Sequence, residues 1–386
     1  MSIPEAGKPV YNVKNPFIAT VKKAYDLSGP GAPKNTRHYE LDLSGGSLEY
    51  LPGDSLAVQP MNDPALVEDT LRALGFSGDE IVKHAKTAAD VPIREALMEG
   101  SSITEIDNKL IKAIIEKTDS ATPLARLIGS ENKEELKSYL WGRFVIDILL
   151  EHPAVKFEPQ EFVSTLKRLN IRLYSISSSQ KAYPSEVHLT VVTVKYTSYN
   201  RDRGGVTSTF LAERNLPGTR IPVFVNPGKG FRLPDPSAET PIIMCGPGTG
   251  IAPFRAFLQE RKATRAKGKA WLFFGEVSEK TCNFYHDEWQ ALLGDGTLTK
   301  FTTAWSRDQA EKVYVQHKMI ENSAEFFAWL EQGAIFYVCG DASRMAVDVD
   351  KALHAIIEKE GGRTPEEAQA YVAALKAAKR YRRDVY

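Results

Sequence analysis

Pro241-Ile-Ile-Met-Cys-Gly-Pro-Gly-Thr-Gly-Ile-Ala-Pro-Phe-Arg255 decides how the rest of the chain is read. Ile242 to Cys245 is a short apolar run between a proline and a glycine, the pattern of a buried strand. Gly246-Pro-Gly-Thr-Gly250 follows as a loop, and Pro253 suits the first turn of a helix, where its missing N–H leaves no bond unmade. Such a strand, loop and helix N-terminus gather backbone N–H groups and the positive helix end at one spot, which suits a phosphate. The glycines let that backbone approach without a Cβ between. Many glycine turns only turn, so phosphate binding and a plain structural turn stay equally open on this stretch alone.

Downstream, strands and helices alternate. The spacing predicts strands over 242–245, 271–274, 298–304 and 335–339. Helices are predicted over 251–267, 287–293, 315–332 and 343–360, with a last one over 365–381. This order implies right-handed crossovers and a parallel sheet, with ligands beyond the carboxyl ends of its strands. Gly246–Gly250, Glu276, Ser306-Arg307 and Cys339-Gly-Asp341 all fall at that edge. The third glycine is one place early for the dinucleotide fingerprint. Glu276 would suit a ribose 2′-hydroxyl, whereas Ser306-Arg307 and Lys312-x-Tyr314 would suit a 2′-phosphate, and the pattern does not choose.

Upstream the character differs. Residues 1–16 are polar and proline-punctuated, a loosely held lead-in. Phe17–Tyr25, Arg37–Leu43 and Ser55–Pro60 read as strands of an antiparallel barrel or sandwich. From Asn62, a candidate cap, the period becomes helical up to Gly75. Ser102-x-x-Glu105 resembles a capping box, 131–151 reads as mostly helical, and Pro159 starts another helix. Strand character returns at Asn170–Ser179, Glu186–Tyr196 and Val223–Val225, and Gly204-Gly-Val-Thr-Ser opens a short helix. A helical domain inserted in a β-domain is the economical reading.

The 386 residues are 42% hydrophobic and 25% charged, which suits two or three globular domains. Lys+Arg and Asp+Glu both number 49, so bulk charge favours neither nucleic acid nor an anionic membrane. No apolar run approaches the ~18 residues of a membrane span, and the first residues lack the apolar core of a signal peptide. Cys245, Cys282 and Cys339 stand far apart with no metal-ligand spacing. A cytoplasmic chain with reduced thiols and no bound metal is expected.

Seven segments in one order are recognisable: Arg172-Leu-Tyr-Ser175, Gly205-Val-Thr-Ser208, Cys245–Arg255, Trp305-Ser-Arg-Asp308, Lys312-Val-Tyr-Val-Gln316, Tyr337-Val-Cys-Gly-Asp341 and Tyr381-Arg-Arg-Asp-Val-Tyr386. Together they resemble the ferredoxin–NADP reductase-like half of the diflavin reductases, the sulfite reductase flavoprotein branch most of all. The likeness runs from about residue 15 to the end. It implies an antiparallel β-barrel FAD domain (15–60 and 165–235) with an inserted α-helical connecting domain (61–164). An α/β parallel-sheet NADP-binding domain (236–386) follows.

The resemblance also implies roles. Arg172, Leu173, Tyr174 and Ser175 would meet FAD: Arg172 its pyrophosphate, Tyr174 and Ser175 its isoalloxazine. Thr190, Val191, Val192 and Tyr196 would line its adenosine side. Gly205, Val206, Thr207 and Ser208 would hold its phosphates, with Thr104 of the insert within reach. NADPH would meet Gly248 and Thr249 of the glycine loop. Ser306, Arg307, Lys312, Val313, Tyr314, Val315 and Gln316, with Asp348, would take its 2′-phosphate side, which tips the choice toward NADP. Ser175, Cys339 and Asp384 would flank the hydride path, and Tyr386 would cover the flavin face until nicotinamide displaces it.

Those reductases carry an N-terminal FMN domain of flavodoxin type, and nothing before residue 15 matches one. The expectation is a fragment, a natural short form, or a reductase with a separate acceptor protein: a sulfite reductase haemoprotein, a flavodoxin or a ferredoxin. An FAD-dependent NADPH oxidoreductase feeding sulfite reduction is the first reading. A general ferredoxin/flavodoxin reductase or NADPH diaphorase is the alternative, and a nucleotide-binding module without turnover is the third.

Overall fold

The computed structural model describes residues 9–118 and 123–386; the first half of the expected lead-in lies outside them. The chain forms two compact units. One comprises residues up to 57, 173–193 and 215–386; the other comprises 58–172 and 194–214. Its strands are β1 (Phe17–Asp26), β2 (Asn35–Asp42), β3 (Ser55–Val58), β4 (Ile81–Lys83), β5 (Asp90–Pro92), β6 (Arg172–Ser175), β7 (Glu186–Thr193) and β8 (Lys195–Ser198). There follow β9 (Arg201–Gly204), β10 (Arg220–Asn226), β11 (Ile242–Cys245), β12 (Ala270–Glu276), β13 (Lys300–Trp305), β14 (Ile335–Gly340) and β15 (Tyr381–Val385).

The larger unit holds two sheets. Six strands run in the order β6-β3-β10-β1-β2-β7, with antiparallel pairing of β1 to both β2 and β10 and of β2 to β7. Five strands run β13-β12-β11-β14-β15, every neighbouring pair parallel. β11, β12 and β14 carry almost unbroken buried apolar side chains, because helices cover both faces. β11 sits at the centre, and strand order reverses between it and β14. The glycine loop and Cys339–Asp341 leave the sheet at that crevice.

The smaller unit is helical, with the hairpin β8–β9 and the short pair β4–β5. Val67, Leu71, Ile111, Ile148 and Phe162 lie in one continuous core. The structure departs from three local expectations in this unit. Asp63, not Asn62, caps helix Pro64–Leu74 by accepting from the Ala65 N–H; Asn62 is buried and donates to the Leu97 and Ser101 carbonyls instead. Ser102–Glu105 caps nothing: helix Asn108–Glu116 starts at Asp107, which takes the Lys109 N–H at 2.9 Å. The helix expected over 131–151 breaks at Gly142, whose φ of 75° ends Lys133–Leu140 before Val145–Glu151 begins.

The larger unit adds two more. Helix 315–332 is two helices, Val315–Glu321 and Ser323–Glu331, and the last helix stops at Ala377. The tail after it is β15, an edge strand parallel to β14.

Candidate functional site

In the larger unit the site is built at the carboxyl edge of the parallel sheet. Gly246 and Gly250 have no room for a side chain: a Cβ would lie 2.4 Å from the Gly250 carbonyl and 2.2 Å from the Cys339 carbonyl respectively. Gly248 takes φ 59°, and the nearest atom to its missing Cβ is a Glu276 carboxylate oxygen at 3.6 Å. Two glycines thus press the loop onto its neighbours while the third has room for a side chain but takes a left-handed φ. Pro247 precedes one 3₁₀ turn, Gly248–Ile251, and helix Ala252–Thr264 follows. The cradle fits a phosphate-bearing group. Glu276 is pushed up from the ordinary carboxylate range by burial.

Beside the loop, register pairs Cys339 of β14 with Asp384 of β15. The Ser175 hydroxyl of β6 donates to Asp384 Oδ2 at 3.2 Å. Burial, reinforced by the Asp384 charge, raises the Cys339 thiol well above its usual range, so it sits there as SH. Burial also raises Asp384. Ser175, Cys339 and Asp384 therefore form a hydroxyl, thiol and carboxyl cluster in surroundings that disfavour charge. Tyr386 is exposed; its hydroxyl lies 3.0 Å from Thr249 Oγ1, and its backbone is tied to Gly340 and Ala342.

Leu173 is exposed and Tyr174 half-buried on β6. Thr190 and Val191 are buried on β7, with Thr190 Oγ1 2.6 Å from the Tyr285 hydroxyl, while Val192 is half-buried. Ser306 and Arg307 follow β13, their N–H groups donating to the Glu276 and Val277 carbonyls. Arg307, Lys312 and Tyr314 are exposed; Val313 and Val315 pack on the sheet's core; Gln316 is half-buried. Asp348, on helix Met345–Gly361, lies 3.8 Å from Lys351.

The smaller unit holds Thr104, exposed Arg172, exposed Tyr196 and the Gly205–Ser208 turn. Gly205 donates to the Val194 carbonyl and caps helix Val206–Arg214; a Cβ on it would lie 2.9 Å from Ser208 Oγ. The first N–H groups of that helix have no acceptor within it. They border a cavity of about 600 Å³ lined by Thr104, Phe144, Tyr196, Arg201 and Val206, among others. A second cavity of about 610 Å³ shares Thr104, Phe144 and Tyr196 with it. Helix N-terminus, hydroxyls and an exposed aromatic ring together fit a phosphate-bearing aromatic ligand.

Two contributors escape sequence reading. Arg203, two residues before the glycine turn, is 4% exposed and grips both Asp147 oxygens at 2.6 Å over the Phe144 ring. It ties the β8–β9 hairpin to helix Val145–Glu151. Arg255 closes the glycine-loop motif but is buried among polar partners. A charged residue gives no sequence signal that it will be buried; only its distant partner does.

Known proteins share this arrangement. Residues 9–210, just over half the chain, match the family model of an FAD binding domain. Residues 244–351 match that of an oxidoreductase NAD-binding domain. The chain is 48% identical over 383 residues to the sulfite reductase (NADPH) flavoprotein alpha-component of Bacillus subtilis (strain 168), covering 99% of this chain and 63% of that protein. For the proteins of the same name from Aliivibrio fischeri and Zymomonas mobilis, identity is 43% and 42%, and 61% and 62% of their lengths are spanned. The chain thus spans less than two thirds of these relatives. Among the described residues no helix is long and apolar enough to cross a membrane. The chain belongs to the FAD binding domain family, with an oxidoreductase NAD-binding domain following in the same polypeptide.

Proposed function

We propose that the chain is a flavoprotein reductase that takes hydride from NADPH onto FAD and passes the electrons to a separate acceptor protein. Bound FAD supplies the redox chemistry. The observation that carries the reading is the Ser175–Asp384 hydrogen bond beside Cys339, at the edge where the glycine loop leaves the parallel sheet. Ser175, Cys339 and Asp384 orient the nicotinamide and stabilise the charge that develops as hydride leaves it, in buried surroundings that exclude water. Arg172, Leu173, Tyr174 and Ser175, with Thr190–Val192 and Tyr196, hold FAD; Gly205–Ser208 take its phosphates and Thr104 adds a hydroxyl. Gly248 and Thr249 face NADPH, and Ser306, Arg307 and Lys312–Gln316, with Asp348, read its 2′-phosphate end. Tyr386 stands over the flavin and yields its place to nicotinamide.

The relatives are named as sulfite reductase flavoprotein components, which supports an acceptor in sulfite reduction: a sulfite reductase haemoprotein, reached directly or through an FMN carrier. Three buried thiols favour a reducing, cytoplasmic setting. The protein should purify yellow or take up FAD on reconstitution, and oxidise NADPH far faster than NADH. A colourless protein that refuses FAD ends the proposal. In stopped-flow, equal reduction of flavodoxin and of the haemoprotein would remove the sulfite assignment and leave a general reductase.

A further inference from the structure

We infer that Arg255 is a positioning residue that holds Ser175 and Asp384 opposite Cys339; the inference rests on the hydride-transfer reading above. Arg255 is the fourth residue of helix Ala252–Thr264 and is 3% exposed. Its Nη1 donates to the Ser177 carbonyl at 2.8 Å and to His188 Nδ1 at 3.1 Å. Nε and Nη2 hold both carboxylate oxygens of Glu288, with Nε–Oε2 at 2.8 Å. The Tyr285 ring lies 4.7 Å from the guanidinium carbon. A planar fork with acceptors on every side is fixed in direction, which a lysine ammonium would not be.

The contacts run in a closed ring. Ser177 follows Ser175 by two residues, and its N–H is held by the His188 carbonyl. Ser175 reaches Asp384, which is in register with Cys339. The Cys339 carbonyl rests against Gly250, which leads within about one and a half turns to Arg255. Arg255 then returns to Ser177. Further ties join the same helix to this segment: Ser179 bonds Gln259 and Glu260, about a turn beyond Arg255, and Lys181 pairs with Glu260 at 2.7 Å. Ile176 and Ser177 are also held by the Asp54 and His188 carbonyls, so the segment stays in place without the arginine but loses the bond that sets the Ser175 end against the Cys339 end.

The same arginine settles the groups around it. Because it donates to Nδ1, the His188 proton sits on Nε2 and goes to Glu186 Oε2 at 3.0 Å. Glu186 is also held by Lys22, and Glu40 lies 3.6 Å from Lys23. The Glu40–Glu186–His188 cluster is thus a neutralised ion-pair network whose imidazole nitrogen is already protonated, and it does not offer a metal site. Arg255 serves geometry, not charge storage.

Two variants of the full chain test this. Arg255→Lys keeps the charge and loses the fork; Glu288→Gln keeps the fork and loosens its anchor, so it decides the matter should the first not fold. In the FAD-free protein, amide exchange over 175–177 and maleimide labelling of Cys339, resolved from Cys245 and Cys282 by peptide mapping, should both rise by about tenfold. In the FAD-loaded protein, single-turnover hydride transfer from NADPH should fall ~10- to 100-fold, the scale of a sub-ångström to 1 Å misplacement. The NADPH Kd should stay within about twofold. Wild-type exchange, labelling and hydride transfer in both variants would overturn the inference. So would a rate loss that merely tracks lost FAD or NADPH, which is what a folding role predicts. A wild-type chain that binds FAD but oxidises no NADPH would sink the function while leaving the FAD-free measurements to judge the ring.

Discussion

Arg307 and Lys312 are exposed beyond the carboxyl end of β13, and Arg307 is fixed by its backbone bond to the Val277 carbonyl. If they read a 2′-phosphate, removing one charge-assisted bond costs roughly 1.5–3 kcal/mol. Arg307→Ala should therefore weaken NADPH about 10- to 100-fold and leave NADH nearly untouched; equal losses in titrations with both nucleotides would contradict the assignment. Gly250 makes the opposite kind of claim, about space. A Cβ there meets the buried Cys339 carbonyl at 2.2 Å, with backbone on both sides and nothing flexible to yield. Gly250→Ala should cost about 1–3 kcal/mol in denaturant unfolding and distort the Cys339 edge. Gly294→Ala, where nothing lies within 4 Å, is the control and should be close to neutral.

At the scale of elements, the parallel sheet was legible because β11, β12 and β14 are apolar runs punctuated by glycine, and the seven motifs fix their order. β15 was not. Its Tyr-Arg-Arg-Asp-Val carries charge because it lies at an edge, where a polar strand blunts further pairing, and only Tyr381 turns fully inward, stacked on Phe336 at 5.4 Å. The caps at Asp63 and Asp107 were missed for a related reason: several short polar residues precede each helix, and tertiary burial chooses among them. The Arg203–Asp147 pair joins residues 56 positions apart, a relation no local pattern expresses. β15 also separates two functions that share the terminus. Tyr386 is bonded to Gly340 and Ala342 through its backbone, so Tyr386→Ala should spare the strand and keep Tm while raising NADH turnover. Deleting 381–386 strips β14 of its neighbour and should lower Tm by about 1–4 °C, since ~1–2 kcal/mol moves Tm by roughly 1–2 °C per kcal/mol in a chain of this length. Unchanged nucleotide preference in Tyr386→Ala, by steady-state assay, would remove the proposed covering role.

For the molecule as a whole, the buried polar centre of the larger unit sets a pH response. Burial, with Arg255 adding to it, holds His38 down at about 2 and His188 at about 4, against an ordinary value near 6.5. Both are neutral in the fold, whereas the unfolded chain takes protons on them as pH falls below 6.5. The unfolded state then binds more protons, so stability declines with acidification from about 6.5 toward 4. Each fully buried imidazole contributes roughly 2 kcal/mol of loss between pH 7 and 5. Asp384 and Glu276, raised by burial, lean the other way, because the fold keeps their protons longer than the unfolded chain does. The histidine share is therefore read by difference: His38→Asn should flatten the slope of unfolding free energy between pH 7 and 5 relative to the parent, by about one proton. This substitution leaves the Tyr285 hydroxyl its Thr190 partner at 2.6 Å, so folding need not be lost with the titrating group. A parallel slope in variant and parent, from urea titrations at each pH, would mean that His38 is protonated in the native state and that the centre is wetter than its packing implies.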